Sequence, residues 1–132
     1  MGYKKQSYME YGKIEDNKEV LRLIVETITG KPLAKNTKLD FLQGKVGELI
    51  EADAKTFLNV AKDPLLPTKL LINQCIESGL ISKRGNFLYL RSDNSPLCEN
   101  GEDPTLSVAA KYLSSPKRQE LKFSLEAKLK VE

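Results

Sequence analysis

The residues that carry out most enzymatic chemistry are scarce in this sequence. Histidine, the commonest general base and transition-metal ligand, is absent. The two cysteines, Cys75 and Cys98, lie far apart in the chain, and a catalytic cysteine or serine usually needs a histidine beside it. The pairs Gly30-Lys31 and Gly44-Lys45 lack the other residues of a phosphate-binding loop. The sequence therefore predicts a protein that is not an enzyme and that needs no metal ion or other cofactor.

Polar and basic residues between positions 69 and 91 are of the types that bind nucleic acid. Asparagine and glutamine side chains read base edges, while lysine and arginine neutralise phosphates. A protein that makes many phosphate contacts is usually more basic than this one, whose net charge is +3. Nucleic acid is therefore the alternative partner rather than the first.

The first fifteen residues interleave aromatic and basic side chains and follow neither a helical nor a strand period. Tyr3, Tyr8 and Tyr11 alternate with lysines in this stretch. Tyrosine is favoured at protein interfaces, although aromatic and basic residues together also bind single-stranded nucleic acid. We expect residues 1–15 to form an N-terminal arm that contacts a protein partner, with a partly mobile terminus as the alternative.

The C-terminal segment, residues 119–132, alternates apolar and polar side chains. This period of two is typical of a half-buried strand, and we favour a strand here, with Leu121, Phe123 and Leu125 on its apolar face as candidate interface residues. Such a strand could pair with a hairpin of its own chain or extend a sheet of a partner. Against it, leucine, lysine, glutamate and alanine prefer helices. A helix would place a second apolar stripe, which includes Phe123 and Ala127, on the side opposite its leucines.

The remaining elements are helices and one hairpin, which together predict an α+β fold that is mainly helical. Residues 80–84 and 87–91 flank Gly85-Asn86, a pair typical of a two-residue hairpin turn. Residues 92–103 are predicted to form a solvated connecting loop. Apolar residues at helical spacing predict four helical regions. The first begins at the capping pattern formed by Asp16 and Glu19 and ends at Gly30. The others span 39–62 (one helix, or two divided at Asp53), 67–78 and 104–114.

Length and composition are those of one globular domain. The chain has 132 residues, of which 40% are apolar and 30% charged. No apolar run approaches the roughly 20 residues that cross a bilayer, and the start lacks the apolar segment of a signal peptide. We expect the arm to be followed by a single compact domain over 16–132, with reduced thiols, no membrane contact and no small-molecule substrate.

Part of this pattern is similar to a known family of domains. The stretch Thr68-Lys69-Leu70-Leu71-Ile72, followed by Gly79 to Leu90 with its basic turn, resembles the recognition helix and wing of winged-helix domains. The resemblance covers residues 53–91. It implies a helix that enters the major groove, with Thr68 and Glu77 among its exposed residues, and a wing that touches the DNA backbone. The residues that the resemblance implies as nucleic-acid-binding are Lys69, Asn73 and Gln74 on the helix and Lys83, Arg84 and Arg91 on the wing. Winged helices also bind proteins, and that use agrees better with the low net charge.

A second resemblance covers residues 57–130. The segments Asn100 to Leu106 and Tyr112 to Pro116 look like parts of uncharacterised small proteins of tailed bacteriophages, including crAss-like phages. This resemblance implies a phage product in the cytoplasm of a bacterial host or in the virion. We therefore expect a virion-associated or structural protein that contacts a phage particle or further copies of itself. The alternative is a winged-helix regulator or DNA-associated factor.

Overall fold

The computed structural model of this chain describes residues 2–131, a mainly helical α+β protein with one small antiparallel sheet, as the sequence predicts. The chain falls into two compact units, Met1–Leu66 and Pro67–Glu132. The boundary lies inside residues 16–132, which we expected to form one domain, and inside the winged-helix-like stretch 53–91. In chain order the elements are α1 (Tyr3–Ile14), α2 (Lys18–Thr29), α3 (Leu39–Ala52), α4 (Ala54–Ala61), α5 (Leu66–Glu77), β1 (Ile81–Arg84), β2 (Phe87–Leu90), α6 (Leu106–Ser114), a 3-10 turn (Pro116–Arg118) and α7 (Gln119–Val131).

Helix α2 is the central element of the first unit. Every residue from Val20 to Val25 is buried, because α3 and α4 pack against it. The helix begins at the side chain of Asn17, which accepts a hydrogen bond of 3.2 Å from the amide of Val20; the cap is therefore Asn17 and not Asp16. It ends at Gly30, which has a φ of 72° and suits the left-handed conformation.

Asp53 divides α3 from α4, so the predicted region 39–62 is two helices. Its carboxylate accepts hydrogen bonds from the amide of Thr56 at 3.2 Å and from the Thr56 hydroxyl at 2.6 Å. The hydrogen bond from the Thr56 hydroxyl lowers the pKa of Asp53 most, and the hydrogen bond from the Thr56 amide lowers it further. An ionised side chain at the first turn also interacts favourably with the helix dipole.

Residues 3–14 form helix α1, although the sequence shows no helical period there. Ser7 is its one fully buried residue among those described, and the Ser7 hydroxyl donates a hydrogen bond of 3.0 Å to the backbone carbonyl of Ala54. Because a serine and half-buried residues replace the usual apolar stripe, the sequence carries no helical period that would predict this helix.

The second unit is built around the predicted hairpin. Ile81 pairs with Leu90 and Arg84 with Phe87, across a turn in which Gly85 has a φ of 61°. The following loop is less solvated than predicted, since Leu97 is fully buried and its amide donates a hydrogen bond to the Leu88 carbonyl at 3.1 Å.

The strand that we favoured for residues 119–132 is wrong, because residues 119–131 form helix α7. Leu125 is buried, Leu121 and Leu129 are half-buried, and Phe123 and Ala127 are exposed. Leucines spaced four residues apart line one side of a helix as readily as an alternating pattern lines one face of a strand. The helix-forming composition of the segment decided between the two. Residue 132 lies outside the described residues.

Candidate binding surfaces

The hairpin presents the three basic residues that the sequence predicted for its surface. Lys83, Arg84 and Arg91 are all exposed. Arg84 is held in place, because its guanidinium donates a hydrogen bond to the side-chain oxygen of Asn94 and lies 4.8 Å from the ring centre of Tyr89. A fixed guanidinium loses less conformational entropy when it binds an anion than a freely moving one does.

Helix α5 exposes less of its polar surface than a helix that reads DNA would need. Lys69, Asn73 and Gln74 are half-buried, and both Lys69 and Gln74 already interact with other groups of the chain. Thr68, which the winged-helix resemblance places on the exposed side, is buried and shares a hydrogen bond of 3.1 Å with Ser114. The predicted helix residues are therefore only partly available to a partner.

Two of the predicted residues, Asn73 and Lys83, do meet, at a cleft of about 350 Å³ between α5, the hairpin and the start of α6. We call this the wing cleft. Among the described residues neither of these side chains has a hydrogen-bond or ion-pair partner. Lys83 is the one charged residue among the described residues that line the cleft, which also contains apolar side chains, so the cleft favours a neutral or anionic group. Its lining consists of Asn73, Ile76, Lys83, Asn86, Leu88, Thr105, Leu106 and Ser107.

A second cleft, of about 210 Å³, lies between the base of the hairpin and the inner side of α7. It brings the predicted Arg91 together with Leu121 and Leu125, and Lys128 adds a second cation at its rim. Leu125 is 3% exposed, so it belongs to the core of this unit and is not an available interface residue.

The tyrosines of α1 contact the unit that contains them. The Tyr8 hydroxyl donates a hydrogen bond to the Glu51 carboxylate, which also forms an ion pair of 2.9 Å with Lys4. The hydrogen bond from Tyr8 and the ion pair with Lys4 lower the pKa of Glu51, and the same hydrogen bond raises the pKa of Tyr8. Tyr3 lies 6.0 Å from the ammonium of Lys55, and Tyr11 is half-buried. These contacts fix α1 against α3 and α4, although Tyr3 and Tyr8 keep about half of their surface exposed.

The outward side of α7 carries an apolar strip that nothing described covers. Phe123 is 60% exposed, and Ala127, one turn further along, is exposed as well. Exposed residues of opposite charge lie at the two ends of the strip, Glu120 near the start of the helix and Lys130 near its end. We call these four residues the outer face of α7. The helical alternative for this segment already placed Ala127 beside Phe123, whereas Glu120 and Lys130 were not predicted to lie on the same side.

The cysteines show no sign of activation. Burial raises the pKa of the Cys75 thiol to about 11, and a smaller effect of burial together with nearby carboxylates raises the pKa of Cys98. Within residues 2–131, no cluster of three or more histidine, cysteine, aspartate or glutamate side chains has the arrangement of a metal site. In the same range no helix has both the length and the apolar character needed to cross a membrane.

Comparison of the chain with models of protein families, with curated proteins and with solved structures finds no match.

Proposed function

We propose that the protein is a non-enzymatic binding and assembly module that acts through protein–protein contacts made by the outer face of α7. The observation that supports this proposal is the 60% exposure of Phe123 beside exposed Ala127. Aromatic residues are enriched at the centres of protein interfaces, and a small residue one turn away lets a partner helix approach closely. Apolar residues spaced by four positions are also the anchors by which helices dock on one another.

The setting that we propose is a bacteriophage, with the protein as a virion-associated or structural component in the particle or in the host cytoplasm. This part of the proposal rests on the resemblance of residues 57–130 to small phage proteins. An assembly role agrees with the fold, since a small helical unit with one exposed apolar strip suits contact with a further protein surface.

Selection from a random peptide library displayed on yeast tests the proposed surface without knowledge of the natural partner. Peptides enriched by the wild-type protein should bind Phe123→Ser at least about tenfold more weakly, because the substitution removes an aromatic anchor that a bound peptide would cover. Phe41→Ser is the matched control, since Phe41 is 54% exposed on α3 and has no place on the outer face. Equal losses in the two variants would indicate nonspecific adhesion to exposed phenylalanine. Absence of enriched peptides for a chain that also does not self-associate would contradict the proposal.

A second candidate function is nucleic-acid binding by the hairpin and the wing cleft, as expected of a winged-helix protein. The observation that favours it is the convergence of Asn73 and Lys83 on one cleft beside exposed Arg84. Fluorescence anisotropy of a labelled duplex, titrated at several salt concentrations, measures this activity. Binding that weakens steeply with salt and is lost in Lys83→Glu/Arg84→Glu would support it.

The control for that titration is Lys31→Glu/Lys111→Glu, which makes the same change in net charge at two exposed positions that belong neither to the hairpin nor to the lining of the wing cleft. If both double variants bind equally weakly, then the interaction depends on total charge alone and the hairpin has no specific part in it.

A further inference from the structure

The outer face of α7 is complementary to itself when two copies of the helix run in opposite directions. A two-fold axis level with Leu125 relates positions equally far from it on either side. Phe123 of one copy then lies level with the partner's Ala127, and Glu120 lies level with the partner's Lys130. Each large side chain thus meets a small one, and each carboxylate is level with an ammonium group, twice over because the contact is symmetric.

The parallel arrangement has none of these advantages. It would bring Phe123 against its own copy and would place Glu120 beside glutamate and Lys130 beside lysine. Like charges at a shared interface are unfavourable. The dipoles of two parallel helices also point the same way, whereas antiparallel helices place the positive end of each beside the negative end of the other.

From this complementarity we propose that the occupant of the outer face is a second copy of this chain, docked antiparallel through α7. The inference rests on the proposed function, because it names the partner of the same surface. All four residues that it uses are exposed, and they lie on the side of the helix away from buried Leu125. Docking therefore needs no rearrangement of the core.

The size of the face sets the strength of the association. With 13 residues, α7 is about 20 Å long. One pair of such helices buries less than the roughly 1,200–2,000 Å² of a standard stable interface. We expect a reversible dimer with a dissociation constant on the order of 10–100 μM, which corresponds to a weak and transient contact. A higher local concentration, such as an assembled particle provides, would strengthen it.

Sedimentation equilibrium of the purified full chain, from micromolar to millimolar concentration, tests the proposal. Wild type should shift from monomer to dimer over this range. Glu120→Lys and Lys130→Glu should each weaken dimerisation about tenfold, since two attractive contacts become repulsive, and the double variant Glu120→Lys/Lys130→Glu should restore it. Phe123→Ser should abolish it, and Phe41→Ser should leave it unchanged. Circular dichroism checks that every variant remains helical, which exposed positions should allow.

Two results would overturn the inference: a wild-type chain that stays monomeric at millimolar concentration, or a dimer that all three substitutions of the outer face leave intact. A dimer that the single charge reversals leave intact, but that Phe123→Ser breaks, would contradict the antiparallel geometry. If the chain is monomeric while library peptides still require Phe123, then self-association fails and the proposed function stands. If dimers form but no peptide binds, the outer face recognises only itself.

Discussion

Replacing Leu125 and Phe123 separately with alanine tests the orientation of α7. Leu125 is 3% exposed, so Leu125→Ala removes a buried side chain and should lower the free energy of unfolding by about 2–5 kcal/mol. Phe123 is 60% exposed, so Phe123→Ala should change the free energy by no more than about 0.5 kcal/mol. The stronger helix propensity of alanine offsets part of any loss at Phe123.

Urea unfolding followed by circular dichroism measures both effects. The free energy of unfolding falls by about 1–3 kcal/mol per M urea. Leu125→Ala should therefore lower the urea midpoint by roughly 1–2 M, and Phe123→Ala should lower it by roughly a few tenths of this shift at most. The protein is kept at low micromolar concentration so that self-association does not contribute. Because the chain has two compact units, which need not unfold together, hydrogen exchange of the α6 amides gives the stability of the second unit by itself.

The pair of variants distinguishes the helix from the strand that the alternating pattern suggested. In a strand, Leu121, Phe123 and Leu125 share one face, so truncation of Phe123 and of Leu125 would cause similar losses. Similar losses would refute the helical orientation and with it the outer face on which the proposed contacts depend. A large loss for Leu125→Ala alone is the result that the burial of α7 predicts.

Three further expectations concern single positions. Gly44→Ala should raise stability by about 0.5–1 kcal/mol, because a β-carbon there meets no atom within 4 Å and α3 gains a better helix former. Gly30→Ala should destabilise the protein, because Gly30 has a φ of 72°. Thermal unfolding measures both effects. The pKa of Asp53 is lowered from its ordinary value of 3.8, so its stabilising effect is present above that value and is lost as the pH falls through the folded-state pKa. Asp53→Asn should therefore reduce the decline of the unfolding temperature below about pH 4, and an unchanged decline would contradict the role of this carboxylate. Cys75, with a pKa of about 11, should resist alkylation at pH 8 in the folded protein while half-buried Cys98 reacts first, which mass spectrometry of labelled peptides detects.

Local signals account for the elements that the sequence predicted well. The Gly85-Asn86 pair fixed the hairpin turn, since Gly85 adopts the positive φ that the turn needs. Asp53 marked the division of the second helical region through a cap that depends on the adjacent residues only. Apolar residues at helical spacing predicted α2, and the five apolar residues between Val20 and Val25 are buried together with Arg22.

The elements that were missed depend on distant contacts. Helix α1 is held by the hydrogen bonds from Ser7 to Ala54 and from Tyr8 to Glu51. A periodic sequence pattern does not indicate such pairs. Leu97 is buried within a polar loop because its backbone pairs with the hairpin, which is again a tertiary effect. The sequence around these positions contains turn-forming and polar residues, which favour an irregular arm over a helix and a solvated loop over a buried one.

The candidate sites likewise combine residues that the sequence predicted with residues that it did not. Asn73 and Lys83 were predicted from the winged-helix resemblance, but Ser107, which also lines the wing cleft, comes from a different element and could not be placed beside them. Phe123 was predicted on the assumption of a strand. Once the segment is a helix, the spacing of four adds Ala127 without further information.

The two candidate functions need not exclude each other, because the outer face of α7 and the wing cleft share no residue. An antiparallel dimer through α7 would carry two wing clefts related by a two-fold axis. Two linked sites bind an extended, repeating partner more tightly than one site does, without any new contact. Phe123→Ser, which leaves the net charge unchanged, would then weaken binding to a long duplex while leaving the cleft itself intact, whereas Lys83→Glu would weaken binding of monomer and dimer alike. If Phe123→Ser has no effect on duplex affinity, self-association and the cleft act independently.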